Sequence, residues 1–369
     1  MKNKIKSSFV LLMAVVMSLM LFQTDSLAAK VTSKTKAENV TSNNSDAVLA
    51  YYDVESKTET LYTANELQNM LNKRNVAKNT TISSKSQMPE KKSNTKKLST
   101  KEISDFAKAK ADTMNETSNE VAYTQNTLTS SASTNTNDGR TLVNDASSDP
   151  YYRIAKLYFT QYTSQDKSTS SGYIGTGFAV GKNLCATARH CITDSYGNFD
   201  TNFKAYYGYN GSNNTYTNLF TDVSGYVYYP QYIASTNDDG TINVNTDYDI
   251  AFVIWNNETV SLTGCFGMSS TISTGMSLRT AGYPGDLNGG LRMYEDYGTV
   301  TSYTNLRMNC DDIYAFGGQS GSPYFDSNYY AYGIMTNTTV DSLGNVIGNS
   351  SGRRFDGTLI QWLIDAGYV

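Results

Sequence analysis

Gly317-Gly318-Gln319-Ser320-Gly321-Ser322-Pro323 is the stretch from which the architecture of this chain is read. Glycines on both sides of Ser320 let the backbone turn tightly and present the hydroxyl. They also let successive N–H groups point into one cavity, where those of Gly318 and Ser320 would form an oxyanion hole for a tetrahedral intermediate. A glycine-serine run by itself is more often a plain loop. Here Pro323 and an apolar run follow at once, which fixes the turn at the head of a strand.

Two other stretches complete a nucleophilic site. His190 is the only histidine among the 369 residues and lies in Thr187-Ala188-Arg189-His190-Cys191-Ile192. Histidine is the side chain whose unperturbed titration falls near neutral pH. In Asp247-Tyr248-Asp249-Ile250-Ala251-Phe252-Val253-Ile254, acidic residues lead into an apolar run. A carboxylate there would orient a histidine ring and stabilise its protonated form. Asp249 touches the apolar run directly and is expected to face inward, with Asp247 as its competitor. Taken singly, His190 reads as an ordinary surface or core residue, and either aspartate as the start of a strand.

The surroundings are those of a β protein. From Tyr151 onward, runs such as Tyr152–Gln161, Gly177–Val180, Tyr226–Tyr229, Ile250–Trp255 and Tyr330–Met335 are rich in aromatic and β-branched residues. Gly, Asn and Asp separate them, as turns separate strands. Helical periodicity appears only at the end, where Asp356 would cap a helix with Leu359, Ile360, Leu363 and Ile364 on one face. An all-β unit of about 220 residues exceeds one small sandwich and suits two packed barrels.

Residues 1–29 read as an export signal. Lys2, Lys4 and Lys6 precede the apolar run Phe9–Phe22, and Ser26-Leu27-Ala28-Ala29 offers small residues for cleavage. The run is short for a membrane span, which needs about 20 apolar residues. No stable membrane anchor is expected; a retained N-terminal anchor is the alternative. Residues 30–132 are rich in Lys, Ser, Thr and Asn and cannot bury much core alone. They are expected to be a pro-region, partly helical or disordered. Two capping boxes mark helix starts there: Thr63 with Glu66, flanked by Tyr62 and Leu67, and Ser99 with Glu102, flanked by Leu98 and Ile103.

Composition excludes several classes. A net charge of -4 makes no case for nucleic acid. Four cysteines are too few for a disulfide scaffold in a chain of this length. No CxxC is present, and one histidine leaves a poor ligand set for zinc, so no metal is expected. Nothing in the pattern argues for an oligomer, and a monomer is expected.

The order His190, Asp249, Ser320, in these three contexts, resembles that of the chymotrypsin-like serine proteases. More narrowly the chain resembles the bacterial glutamyl endopeptidase branch, the staphylococcal V8 protease group. Gly282-Tyr283-Pro284-Gly285-Asp286 and Gly264-Cys265-Phe266-Gly267 are similar to segments of that branch, and Asp138-Gly139-Arg140-Thr141 to one near the mature start of its Bacillus members. The resemblance runs from roughly residue 135 to the C-terminus. It implies two six-stranded antiparallel β-barrels, a trypsin-like double barrel with a C-terminal helix and a cleft between the barrels. The N-terminal barrel would span 133–258, and the C-terminal barrel with the helix 259–369. Ser320 would be the nucleophile, His190 the general base and then acid, and Asp249 the orienter, acting through an acyl-enzyme with no cofactor. The protein would be secreted, extracellular and from a Gram-positive bacterium, cutting polypeptide substrates. Its own pro-region would be a partner, with an activating protease as another.

Departures from the branch bear on specificity and maturation. Relatives that cleave after glutamate hold its carboxylate with a histidine and a hydroxyl; those positions fall on Met335 and Ala315 here. A buried carboxylate with neither donor nor cation costs several kcal/mol. Ala315, Met335, Thr336 and Asn337 are therefore expected to form an apolar or mixed primary pocket, not strictly glutamate-specific. The position of the trypsin-like acid falls on Tyr314, leaving Asp311 or Asp312 as routes to a basic substrate. Gln319 stands where animal trypsins carry an aspartate that pairs with a new N-terminus. The mature start is expected near Ser133, with cleavage after Arg140 as the rival. The usual partner of Cys191 aligns with Gly175, so that bridge is missing; Cys185–Cys191 and Cys265–Cys310 remain open. A different reading is a catalytically weak or inactive secreted binding protein on the same fold, with the tyrosines of Phe203–Tyr232 as a recognition surface; strand packing is the plainer account of those tyrosines. An esterase would order its triad Ser, Asp, His, which this chain does not.

Overall fold

In the computed structural model the described residues are 47–73, 95–111, 138–181, 183–256, 264–340 and 346–369. The expected signal peptide and the Ser133 start lie outside them. The leading segment opens with a hairpin, β1 (Ala47–Asp53) and β2 (Thr58–Thr63), whose turn is closed by Asp53 accepting from the Ser56 N–H at 2.7 Å. Helices α1 (Ala64–Lys73) and α2 (Thr100–Lys108) begin at the two capping boxes. In each, the Thr63 or Ser99 hydroxyl accepts from the N–H three residues on at 3.3 Å, and the glutamate carboxylate accepts in return. A short strand, β3 (Lys110–Ala111), follows α2.

The first barrel is built from β4 (Ile154–Tyr162), β5 (Ser170–Ala179), β6 (Leu184–Thr187), β7 (Thr201–Tyr207), β8 (Val223–Tyr228) and β9 (Ala251–Trp255). Among the described residues its sheet has ten strands, in the order Asn218–Phe220, β7, β4, β5, β6, β9, β8, β1, β2, with β3 parallel to β5. Leu157, Phe159, Phe178, Leu184, Phe252 and Trp255 fill its core. Tyr206, Tyr207, Tyr209, Tyr226 and Tyr228 are buried with them, so most of that tyrosine-rich stretch packs the strands.

The second barrel comprises β10 (Ser277–Gly282), β11 (Tyr294–Thr299), β12 (Arg307–Cys310), β13 (Pro323–Phe325), β14 (Tyr330–Val340) and β15 (Val346–Arg354). Its nine-stranded sheet, counted over the described residues, runs Ser302–Tyr303, β12, β15, β14, β13, β10, β11, Thr141–Leu142, with Gly267–Met268 against β14. Helix α3 (Gly357–Asp365) is capped as its sequence predicts: Asp356 Oδ1 accepts from the Leu359 N–H at 2.8 Å, and Leu359, Ile360 and Leu363 are buried. The fold is thus the expected double β-barrel with a terminal helix. Its sheets exceed six strands because the leading segment and short edge strands add to them.

That addition departs from the expectation for residues 30–132. The segment carries a β-hairpin as well as helices, because β1 completes the edge of β8, with Ala50 opposite Tyr228 and Asp53 opposite Gly225. Strand formation of this kind depends on the neighbour, not on intrinsic preference. Leu49, Ala50, Leu67, Leu98 and Phe106 join the main hydrophobic cluster, which holds the first-barrel core together with residues such as Phe325 and Leu359. Phe106 sits edge-on to Tyr158, Tyr206 and Tyr209, with ring centres 5.9, 5.0 and 5.3 Å away. Cys185 and Cys310 are buried free thiols, each pushed up to about 12 by burial, so neither of the two open bridges forms.

If the hairpin is part of the folded core, Leu49→Ala should lower the unfolding free energy of the full chain by about 2–5 kcal/mol. Denaturant unfolding measures this; a change within about 0.5 kcal/mol, the range of an ordinary surface substitution, would contradict it.

Candidate active site

Register places the first two residues of the site. Strands β6 and β9 pair antiparallel with Thr187 opposite Ala251. The chain leaving β6 after Thr187 and the chain entering β9 before Ala251 therefore lie side by side. One turn of 3₁₀ helix, Arg189–Cys191, carries His190 there. Asp249 holds it at two points: the His190 backbone N–H donates to Oδ1 at 3.0 Å, and the ring Nδ1 lies 2.7 Å from Oδ2. Asp249 is 3% exposed, so this pairing forms in a low-dielectric setting where it orients strongly. The competitor, Asp247, has a half-exposed side chain and sits 3.9 Å from Arg307 Nε, not at the ring.

The histidine loop has its own supports. Gln161 Nε2, from β4, donates to the His190 carbonyl at 2.9 Å, with the Thr193 carbonyl and Asp200 Oδ2 each at 3.2 Å. Burial pushes the Asp200 carboxyl well above the usual carboxylate range, although the Gln161 hydrogen bond opposes it. Arg189 lies over the Tyr228 and Phe199 rings at 4.0 and 4.8 Å.

Ser320 comes from the second barrel. Its loop is closed by Gln319 N–H to Phe316 O at 3.1 Å and Ser322 N–H to Gln319 O at 2.9 Å. It is tied to β14 by Gly321 N–H to Met335 O and Met335 N–H to Ser322 O, both at 2.8 Å. Gly318 has φ +95°, and a Cβ there would lie 2.4 Å from the Tyr283 carbonyl oxygen, so only glycine fits. Thr176 of β5 joins this loop to the first barrel. Its N–H donates to Ser320 O at 2.9 Å and its Oγ1 to Gly318 O at 2.8 Å. Cys191, next to His190, directs its Sγ at the Ser320 carbonyl from 3.9 Å. Ser320 is fully buried, and among the described residues its hydroxyl has no hydrogen-bond partner.

The pocket candidates cluster behind this loop. Ala315 and Met335 are fully buried in one apolar cluster with Leu278, Val300, Met308 and Ile313. Thr336 and Asn337 are buried beside them on β14. Asn337 Oδ1 accepts from Thr336 Oγ1 and from Arg307 Nη2, the latter at 3.0 Å. Asp311 and Asp312 are exposed, and Asp312 accepts from Thr299 Oγ1 at 3.2 Å, so neither is buried in the wall. Tyr314 is buried, with its N–H donating to Asp296 at 2.8 Å and its ring beneath Arg140.

Three further residues organise the site: Thr176, Arg140 and Arg307. Thr176 carries no motif and shows its part only through long-range bonds. Arg140 was visible within Asp138-Gly139-Arg140-Thr141 but had no partner until the fold brought Asp286 and Gln319 to it. Arg307 connects Asn337 and Ser351 to the Thr246 carbonyl, beside Asp247, from residues far apart in sequence.

The trypsin family model matches residues 153–351, which contain all three of His190, Asp249 and Ser320. The chain is 31% identical over 194 residues to the glutamyl endopeptidase of Bacillus licheniformis, a match covering 52% of this chain and 54% of that protein. It therefore spans about half the length of that curated relative. Among solved structures it is similar to a Glu endopeptidase in complex with MPD, with 23% identity, a TM-score of 0.45, and 62% of this chain and 96% of that one covered. It is also similar to the protease Anisep from Arthrobacter nicotinovorans, with 20% identity, a TM-score of 0.43, and 58% and 95% covered. With its matched region exceeding half of the sequence and holding His190, Asp249 and Ser320, the chain belongs to the trypsin family.

Proposed function

We propose that this chain is a serine endopeptidase made as a pro-enzyme. The observation that carries the reading is the two-point hold of Asp249 on His190, at 2.7 and 3.0 Å, within a trypsin-family frame that also presents Ser320. Ser320 Oγ attacks the scissile carbonyl carbon while His190 takes its proton. The tetrahedral oxyanion is met by the N–H groups of Gly318 and Ser320. His190 then returns the proton to the leaving amine as the C–N bond breaks, leaving an acyl-enzyme on Ser320. Water, activated by His190, releases the acid and restores the hydroxyl. Asp249 keeps the ring in the tautomer that presents Nε2 and stabilises the imidazolium.

The primary pocket reads as apolar. Its wall holds Met335 and Ala315 inside a hydrophobic cluster. The chain's single histidine is already engaged by Asp249. Met335 and Ala315 offer neither donor nor cation to the carboxylate that the name of the Bacillus relative denotes, and the neighbouring Arg307 is engaged by Asn337, Ser351 and the Thr246 carbonyl. Polypeptides with medium-sized apolar residues suit the site, since methionine adapts to several shapes.

Residues 47–111 read as the inhibitory part of the pro-region. Strand β3 lies parallel along β5, with Lys110 opposite Tyr173 and Ala111 opposite Ile174. There Ala111 covers Gly285, where an added Cβ would lie 2.5 Å from the alanine Cβ and 3.1 Å from the Gly317 carbonyl oxygen. The segment thus passes beside the loop that leads to Ser320. A cavity of about 260 Å³ lies where it meets the second barrel, against Tyr229, Arg353 and Asp356. An interface packed this incompletely suits a segment that leaves. Release near Ser133 fits better than cleavage after Arg140, whose side chain has no exposed surface. Secretion follows from the N-terminal signal reading. A catalytically weak or inactive binding protein is favoured by one observation, that the Ser320 hydroxyl has no partner among the described residues.

On the processed, secreted chain, Ser320→Ala should abolish casein hydrolysis, whereas hydrolysis retained by that variant would remove Ser320 from its role. Gly318→Ala should cost about 1–3 kcal/mol of stability, because its backbone is left-handed, and should lower kcat on the order of a hundredfold or more. A peptide-library profile should be dominated by apolar residues before the cut; dominance by glutamate would overturn the pocket assignment.

A further inference from the structure

We infer that Arg140 is a positioning residue for the oxyanion loop, acting through Gln319. The inference rests on the endopeptidase reading. It begins from a buried cation, since the Arg140 side chain has no exposed surface. All five of its N–H donors are engaged. Nε donates to Asp138 Oδ1 at 2.9 Å. Nη2 donates to Asp138 Oδ2 at 2.7 Å and to Asp286 Oδ2 at 2.6 Å. Nη1 donates to Asp286 Oδ1 at 2.9 Å and to Gln319 Oε1 at 3.3 Å. The guanidinium also lies over the Tyr314 ring at 4.5 Å. Burial opposes charge on both partners, yet their mutual hydrogen bonds prevail, holding the Asp138 carboxyl below its ordinary range and Arg140 above its own.

Gln319 immediately precedes the nucleophile and is fully buried. Its Oε1 accepts from Arg140 and also from the Phe316 N–H at 3.0 Å. Its main chain bonds Phe316 on one side and Ser322 on the other. The one side-chain acceptor therefore stitches the whole turn that contains the Gly318 and Ser320 N–H groups. A second tie runs in parallel: Asp286, held by Arg140, adjoins Gly285, whose N–H donates to the Gly317 carbonyl at 2.7 Å. Arginine suits this place because its planar fork can serve two carboxylates and an amide together, which an ammonium cannot.

The consequence concerns activation. Animal trypsins order this turn with the ammonium of a new N-terminus. Here the cation belongs to residue 140 and is seated while residues 47–73 and 95–111 are still in place. Removal of the leading segment then uncovers a loop that is already ordered, and no free N-terminal amine takes part.

The test measures kcat and KM of the secreted, processed protein and its variants, with a melting temperature for each. Gln319→Met keeps Arg140 between its two carboxylates and removes only the acceptor. It should lower kcat by about ten- to a hundredfold, as a small misplacement of catalytic groups does, with KM within about threefold. Arg140→Gln should match it, and the double variant should lose no more than the worse single, since both act through one contact. Arg140→Lys should recover part of the loss. A short extension of the mature N-terminus should leave kcat unchanged. Unchanged kcat in Gln319→Met, additive losses in the double variant, or a loss caused by the extension would overturn the inference. If Arg140→Gln fails to fold, Gln319→Met decides alone. Turnover absent from the parent protein would overturn the endopeptidase reading instead.

Discussion

One buried threonine joins the two barrels. Every polar group of Thr176 is used: its N–H donates to Ser320 O at 2.9 Å, its Oγ1 donates to Gly318 O at 2.8 Å and accepts from the Tyr283 N–H at 3.2 Å, and its carbonyl accepts from Thr187 Oγ1 at 2.8 Å. The last bond reaches the strand end from which His190 departs; the first two reach the serine loop. The chain segments that carry His190 and Ser320 are thus tied together through one residue with no exposed surface. Satisfied buried networks of this kind rigidify, whereas a missing partner would leave an expensive orphan. Glycines make the room: a Cβ at Gly321 would fall 2.2 Å from Thr176 O, and one at Gly282 would fall 3.0 Å from its Oγ1.

Much of this was legible in the sequence, for local reasons. The capping boxes at Thr63, Ser99 and Asp356 became helix starts because their bonds span three residues and need no tertiary partner. The strand runs appeared within a few residues of their places, since side-chain alternation and turn residues are local signals. Asp249 was preferred to Asp247 from its contact with the apolar run, and the β6–β9 register places it against His190.

What escaped was long-range. β1 and β2 are strands because β8 offers an edge, which no window of sequence around residue 50 displays. Thr176 is an unremarked threonine in a strand until Ser320, 144 positions later, accepts from it. Arg140 reads from its residue type as the rival cleavage site to a start near Ser133, and its burial against Asp286 and Gln319 is a long-range fact that its own stretch of sequence does not display. Departures from the family pattern at Met335, Ala315 and Gln319 were readable, but their meaning required the apolar cluster and the guanidinium that surround them.

We propose Ser320 as the nucleophile of a site whose His190–Asp249 pair and serine loop are ordered while the leading segment is in place. Reaction with a serine-directed phosphonylating reagent, located by peptide mass analysis, tests it most directly when the processed and unprocessed chains are compared. A single adduct on Ser320 is expected in the processed chain, formed much faster than in the chain that retains residues 47–111. No adduct on Ser320 after processing, or equal rates in the two forms, would contradict it.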